Sequence, residues 1–212
     1  ALGTAQVSGF TSAQIESLSA SDVASISSVA FPALVSANVQ ALTNIQVAGL
    51  STAVMSVLTT EQVSAISTAA APGLTSAQLG ALNSAQVQSI GSDQFGAISR
   101  DSLVGFSTTQ VGYMTTTQLG ALSGLQVSAM STAQVAAMDS AQIAGLSDSG
   151  LAGLSTAQAA ALGTGQVLGL TTAQIQAIEA EDIAAMTPAT VAALTTTQLS
   201  AMTAAQIYSL TS

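Results

Sequence analysis

The feature that most constrains this chain is an uninterrupted eight-residue repeat. From Gly3 the sequence divides into 26 octapeptides without an insertion, beginning GTAQVSGF and TSAQIESL and ending TAAQIYSL. The consensus is [ST]-[ST]-A-Q-[VIL]-x-[AG]-[LIM], whose places are numbered as positions 1 to 8 from here on. Position 8 is Leu, Ile, Met or Phe in all 26 octapeptides, and position 5 is large and apolar in 24. Such regularity predicts a repeat architecture.

The spacing of the apolar positions predicts helices. Positions 5 and 8 are three residues apart, which places them on one face of a helix, whereas a strand would send them to opposite faces. A continuous helix is excluded, because eight residues rotate it by about 800° and the apolar stripe would move by roughly 80° per octapeptide. Each octapeptide is therefore predicted to form its own short helix, followed by a break.

Three signals place the break at position 1. Ser or Thr occupies it in 19 octapeptides, as expected of helix N-caps, and Gln follows at position 4 in 17, which favours the capping box. Pro188 lies at position 2, the first helical position, where no amide hydrogen is required. Nine of the ten Asp and Glu residues lie at positions 1 to 4, where the helix dipole favours negative charge. Two octapeptides, SSVAFPAL and STAAAPGL, carry Pro32 and Pro72 at position 6, which predicts irregular or shifted helices there.

A helix this short is not stable alone, so the octapeptides must stack. Small residues at position 7 allow close approach, positions 5 and 8 form the core, and positions 3 and 6 face solvent. The predicted fold class is all-α, a repeat solenoid of short capped helices with one helix for each of the 26 octapeptides. Residues 1–212 are interpreted as a single continuous array, and as a segment of a longer one.

Composition excludes many functions. The chain has no His, Cys or Trp, and Arg100 is its one cation. The usual zinc, haem and iron–sulfur ligands and the Cys–His and Ser–His nucleophiles are therefore missing. A net charge of −9 argues against a nucleic-acid partner, which requires several Lys or Arg side chains. No run of 18 apolar residues exists, so no transmembrane segment is expected. We predict no enzyme activity, no catalytic residue, no cofactor and no metal site.

Several side chains still require a choice between a structural and a functional interpretation. The Gln column is interpreted as capping or hydrogen bonding between octapeptides, with a ligand-binding ladder as the alternative. Glu179, Glu181 and Asp182 are interpreted as a dipole-favoured helix start, with weak Ca²⁺ binding as the alternative. Tyr113 and Tyr208 fall outside the regular core and are either packed locally or contact points between chains. Arg100 is expected at the surface. The Met and Phe residues lie at positions 5 or 8 and are expected in the core: Met55, Met114, Met130, Met138, Met186, Met202, Phe10, Phe31, Phe95 and Phe106.

The octapeptides STAQVAAM, TTAQIQAI and TTTQLSAM resemble the Ser/Thr-x-x-Gln-Val octapeptide arrays of very large bacterial surface proteins, often labelled as adhesion or haem-utilisation proteins. The resemblance covers the whole chain and implies an extracellular stalk or fibre. The haem label gains no support from a chain without His or Cys.

The leading hypothesis is a structural or adhesive repeat module of a secreted or cell-surface bacterial protein. It would form an extended stalk or a filament subunit by stacking of octapeptides, with neighbouring repeats or copies of itself as partners. The alternative is a binding module for a peptide, a glycan or ice, which would use the solvent-facing positions 3 and 6.

Overall fold

A computed structural model describes residues 3–210. Within this range every regular element is a helix: 24 short α-helices and two 3₁₀ helices, one for each octapeptide. Contacts within the chain divide it into an N-terminal half, Ala1–Phe106, and a C-terminal half, Ser107–Ser212, each considered by itself. The predicted all-α repeat solenoid with one short helix per octapeptide is confirmed.

The N-terminal half contains eleven α-helices and both 3₁₀ helices. In chain order these are α1 (Thr4–Val7), α2 (Ser12–Ser17), α3 (Ala20–Ala24), the 3₁₀ helix Phe31–Ala33, α4 (Ser36–Gln40), α5 (Asn44–Ala48), α6 (Thr52–Met55), α7 (Thr60–Ala65), the 3₁₀ helix Ala71–Gly73, α8 (Ser76–Gly80), α9 (Ser84–Ser89), α10 (Ser92–Ala97) and α11 (Arg100–Leu103).

The C-terminal half contains thirteen α-helices. They are α12 (Thr108–Val111), α13 (Thr116–Gly120), α14 (Gly124–Ala129), α15 (Thr132–Ala136), α16 (Ser140–Gly145), α17 (Asp148–Ala152), α18 (Thr156–Ala160), α19 (Thr164–Leu168), α20 (Thr172–Ala177), α21 (Ala180–Ala185), α22 (Pro188–Ala192), α23 (Thr196–Ala201) and α24 (Ala204–Ser209).

The helices begin where the sequence predicts. Position 1 is the N-cap of each described α-helix, with extended backbone such as φ −72° and ψ 165° at Thr171. Where position 1 is Ser or Thr, its hydroxyl in most helices accepts a hydrogen bond from the backbone N–H three residues later, as Thr171 Oγ1 does from Gln174 at 3.2 Å. At the other end, position 8 is often extended as well, as at Ile178 with φ −70° and ψ 134°. Positions 8 and 1 together therefore break the helix and turn the chain into the next octapeptide.

The two octapeptides with proline at position 6 depart from this pattern, as predicted. Each has a turn where the α-helix would lie and then a 3₁₀ helix, Phe31–Ala33 or Ala71–Gly73, with proline in its first turn. The missing amide hydrogen of Pro32 or Pro72 is no loss there, because the first residues of a helix have no partner within it.

Successive turns of the solenoid pack at a fixed distance along the chain. The largest helix contacts join each helix to the third helix after it, such as α18 with α21 and α21 with α24. Hydrogen bonds from position 4 reach residues 28 to 31 positions earlier, such as Leu50 and Val47 from Gln78. In each half, one turn therefore comprises between three and four octapeptides, a number that the sequence alone did not give.

Positions 5 and 8 form the core, as predicted. Val167 and Ile175 at position 5 are fully buried, and Leu170 and Ile178 at position 8 are 4% and 2% exposed. Burying each such side chain stabilises the fold by about 1.5–3 kcal/mol. The exceptions are Val191, which is half-buried, and Leu199 and Ile207, with 37% and 44% of their surface exposed. All three lie within the last three described octapeptides.

Glycine at position 7 serves close packing rather than a special backbone conformation. No described glycine has a positive φ. A Cβ atom added to Gly153 would overlap the backbone of Gly124, and one added to Gly169 would lie 2.8 Å from the Ser140 carbonyl oxygen. The predicted close approach at position 7 is therefore confirmed, and it joins octapeptides on adjacent turns.

Candidate functional site

The most prominent polar feature is the position-4 glutamine, whose amide joins two turns of the solenoid. The oxygen Oε1 of Gln78 accepts a hydrogen bond from the Thr75 backbone N–H at 2.8 Å, at the start of its own helix. The nitrogen Nε2 donates to the carbonyls of Val47 and Leu50, each at 2.7 Å, at the end of a helix one turn away. One buried amide thus caps two helix ends that otherwise have unpaired backbone groups. We call this arrangement a glutamine link.

Glutamine links recur in both halves. The Nε2 atom donates to the position-8 carbonyl 28 residues earlier and to the position-5 or position-6 carbonyl 31 or 30 residues earlier. The linking residues are Gln46, Gln62, Gln78, Gln86 and Gln94 in the N-terminal half, and Gln142, Gln158, Gln166, Gln174, Gln198 and Gln206 in the C-terminal half.

Other residues at position 4 keep part of the link. Asn38 Nδ2 donates to the Phe10 carbonyl at 2.7 Å, and Thr190 Oγ1 donates to the Leu162 carbonyl at 2.9 Å. Both acceptors lie 28 residues earlier, at position 8. A shorter side chain with a donor therefore still reaches the position-8 carbonyl of the adjacent turn.

The interpretation of the Gln column as capping or hydrogen bonding between octapeptides is confirmed, and the linking glutamines do both. The sequence itself indicates the hydrogen bonding between octapeptides. A capping box accepts Glu as well as Gln, yet position 4 is Gln in 17 octapeptides and never Glu. The amide of Gln has hydrogen atoms to donate to carbonyls of another turn, whereas the ionised carboxylate of Glu has none.

Positions 3 and 6 face solvent, as predicted. Position 3 is exposed throughout the described residues, and position 6 is exposed or half-buried. Large apolar side chains occur there singly, such as Ile45 and Leu125 at position 3, each 68% exposed, and Leu168 at position 6, 52% exposed.

Two adjoining polar grooves lie beside the proline-containing octapeptide 67–74 of the N-terminal half. One, of about 390 Å³, is lined by residues that include Gln40, Ser67 and Asp93. The other, of about 340 Å³, shares Gln40 and Ser67 and adds Glu16. Both are open, shallow and free of aromatic side chains.

The acidic residues of 179–182 do not form one cluster. Glu179 and Glu181 are exposed, whereas Asp182 at position 4 is only 3% exposed. Within residues 3–210 no group of three His, Cys, Asp or Glu side chains is arranged to hold a metal ion. Burial is the main cause that raises the pKa of Asp182, and the charges of Glu179 and Glu181 add to it, while a hydrogen bond with Thr156 opposes it.

Asp22 occupies the same position in the N-terminal half, where its side chain is exposed. Its carboxylate accepts hydrogen bonds from the Ser19 hydroxyl at 2.6 Å and the Ser19 backbone N–H at 3.1 Å. These bonds, the hydroxyl first, lower the pKa of Asp22. The pKa of an Asp at position 4 is therefore raised or lowered according to the burial of its carboxyl group and the hydrogen-bond donors around it.

The remaining side chains singled out from the sequence lie largely where expected. The six Met residues are buried, as are Phe31, Phe95 and Phe106, whereas Phe10 is half-buried. Arg100 is exposed and its Nε lies 3.4 Å from Asp101 Oδ1, a surface ion pair. Tyr113 and Tyr208 are 41% and 74% exposed.

Comparison with known proteins supports the repeat character. A family model described as the ALTTAQ repeat matches residues 119–148 and 175–212. A repeat family is present. The two matched segments cover less than half of the chain. No curated protein matches the chain. Among the described helices, none is long and apolar enough to cross a membrane.

Proposed function

We propose that the chain is a structural repeat module of a secreted or cell-surface bacterial protein, which acts as a stalk or as a filament subunit. The observation that carries this proposal is the glutamine link. The consensus side chains are committed to holding one turn on the next: position 1 caps, position 4 links, and positions 5 and 8 fill the core. A chain organised in this way supports length and regularity rather than one unique site.

Self-association is the second part of the proposal. Leu199 and Ile207 expose position-5 surface that is buried in every octapeptide described before residue 187. Such an exposed apolar surface can pack against a repeat of a second copy. The acidic surface without Lys also offers few cleavage sites to trypsin-like proteases, which suits exposure outside the cell.

The first experiment is electron microscopy and sedimentation velocity of the purified chain over a series of concentrations. Elongated particles or uniform fibres support a stalk or a filament subunit, and compact globular monomers at all concentrations contradict both. A variant with Leu199→Ser and Ile207→Ser tests the surface used, with Leu125→Ser as the control because Leu125 is exposed at position 3. If chains associate through the exposed position-5 surface, the Leu199→Ser and Ile207→Ser variant should reduce association and Leu125→Ser should not.

Location needs a separate test. Antibodies against the purified chain should label intact cells of the source organism. Labelling that appears only after the cells are permeabilised contradicts a secreted or cell-surface protein.

A binding module remains the second candidate, favoured by the exposed apolar side chains at positions 3 and 6. If they bind a peptide or glycan, Leu168→Ser should reduce retention on an array of such ligands while leaving the free energy of unfolding unchanged. Thermal hysteresis of the purified chain tests the ice alternative.

A further inference from the structure

Asp182 is the one buried side chain in the described part of the chain with a polar atom that lacks a hydrogen-bond partner. The residue is only 3% exposed, and its Oδ2 atom is enclosed without a donor. An ionised carboxylate in such a place is costly, because burial removes the water that stabilises its charge. Asp182 also occupies position 4, where the chain elsewhere places the donor of an inter-turn link.

The register of the repeat identifies what this side chain faces. Position-4 donors of the C-terminal half reach the position-8 carbonyl 28 residues earlier, as Gln174 reaches Leu146 and Thr190 reaches Leu162. For Asp182 the corresponding carbonyl is that of Leu154. A carboxylate has no hydrogen to donate to a carbonyl, whereas a protonated carboxyl has one.

Asn38 shows how a side chain of the same size and shape fills this place. Its Nδ2 atom donates to the Phe10 carbonyl at 2.7 Å, 28 residues earlier, and the residue is 3% exposed, like Asp182. Asp differs from Asn by an oxygen in place of the NH₂ group. Protonation of that oxygen restores the missing donor.

We propose that Asp182 forms a proton-dependent link: its protonated carboxyl donates to the Leu154 carbonyl and joins two turns, and loss of the proton breaks this link. The C-terminal half is then held more tightly at acidic pH than at neutral pH. This inference does not rest on the proposed function.

The charged surroundings agree with this assignment. On its own octapeptide Asp182 has Glu179 and Glu181, both acidic. Of the helices packed on α21, α18 carries no titratable group and α24 carries only Tyr208. The octapeptide of Leu154 contributes Asp148. None of these groups supplies a positive charge to stabilise the carboxylate. Burial raises the pKa of Asp182, the charges of Glu179 and Glu181 add to the rise, and the hydrogen bond with Thr156 opposes it.

The sign of the pH dependence follows from this shift. A carboxyl that binds its proton more tightly in the folded chain contributes its full stability below the pKa of the unfolded chain. That stability is lost as the pH rises through the folded pKa. Each tenfold change in the unfolding constant corresponds to one unit between the two pKa values.

The test compares the whole chain with the variant Asp182→Asn, which keeps a donor at every pH. Denaturant unfolding is measured from pH 4 to pH 8. Because one buried hydrogen bond to a carbonyl is worth about tenfold in the unfolding constant, we expect the variant to unfold with a constant about tenfold below that of the native chain at pH 7. The difference should shrink as the pH falls towards 4. Asp22→Asn is the matched control, and its effect should have the opposite sign, because Asp22 is an acceptor for Ser19.

Three results would overturn the proposal. The native chain and Asp182→Asn could have parallel pH profiles, or the variant could be less stable at every pH. Calcium or sodium chloride could stabilise the native chain at pH 7 and remove its pH dependence, which would mean that a cation occupies the place of the proton. If the variant fails to fold, carbon NMR of the native chain decides: the Asp182 carboxyl must stay protonated at a pH where the other aspartates have ionised.

Discussion

Replacement of a linking glutamine tests the architecture most directly. Gln78→Met keeps the length of the side chain and removes its amide. The Leu50 carbonyl, 2.7 Å from Nε2, and the Thr75 backbone N–H, 2.8 Å from Oε1, both lose their partner. The Val47 carbonyl keeps the bond from the Leu50 N–H at 3.1 Å. An unsatisfied buried backbone group costs about 1–3 kcal/mol, so for the two groups we expect the free energy of unfolding to fall by about 2–6 kcal/mol.

Gln14→Met is the matched control, because both glutamines stand in the sequence TSAQ of the N-terminal half. Gln14 is exposed and accepts from the Thr11 N–H at 2.9 Å, but no residue of the chain lies 28 positions before it. Water replaces the lost bond, and the expected loss is about 0.5–1 kcal/mol. The assay is urea unfolding followed by circular dichroism, with the slope m unchanged. Equal losses in the two variants would refute the inter-turn role of the amide.

Two further pairs of variants test the packing of the C-terminal half. Gly153→Ala places a Cβ against the Gly124 backbone and should lower the free energy of unfolding by about 1–3 kcal/mol or more. Gly165→Ala, with open space around it, should raise the free energy of unfolding by about 0.5–1 kcal/mol. Leu122→Ala, at a residue that is 2% exposed, should cost about 2–5 kcal/mol, while Leu125→Ala, at a residue that is 68% exposed, should stay within about 0.5 kcal/mol. A similar loss from both members of a pair would contradict the assigned packing, and thermal unfolding measures each.

The elements of the fold were predictable because each is encoded within one octapeptide. The Ser or Thr at position 1, the Gln at position 4 and the apolar positions 5 and 8 are local signals, and Thr75 to Leu82 contain all of them. The size of a turn was not predictable in the same way. It depends on which octapeptides meet, and nearly identical repeats do not distinguish their partners.

The positions of the glycines carry part of the information about the size of a turn. Gly124 and Gly153 are 29 residues apart and in close contact, and Gly80 and Gly105, 25 residues apart, also meet. Pairs of small residues at these spacings indicate a turn of between three and four octapeptides. Nothing in the sequence indicated that Asp182 is buried, because it lies beside Glu179 and Glu181 along the chain. The side chain is enclosed only when the adjacent turn packs on it.

The constant span of the glutamine links bears on how an array of this kind changes in length. Since each link joins residues 28 to 31 positions apart, loss or duplication of one octapeptide in a gene leaves every downstream Gln opposite another position-8 carbonyl. The array can therefore grow or shrink in steps of eight residues, without waiting for a whole turn. Matched pairs such as Gly124 and Gly153 would resist the loss of an octapeptide between them, because the loss would bring Gly124 against Ala161 instead. These pairs fix the order of the repeats, while the glutamines allow their number to vary.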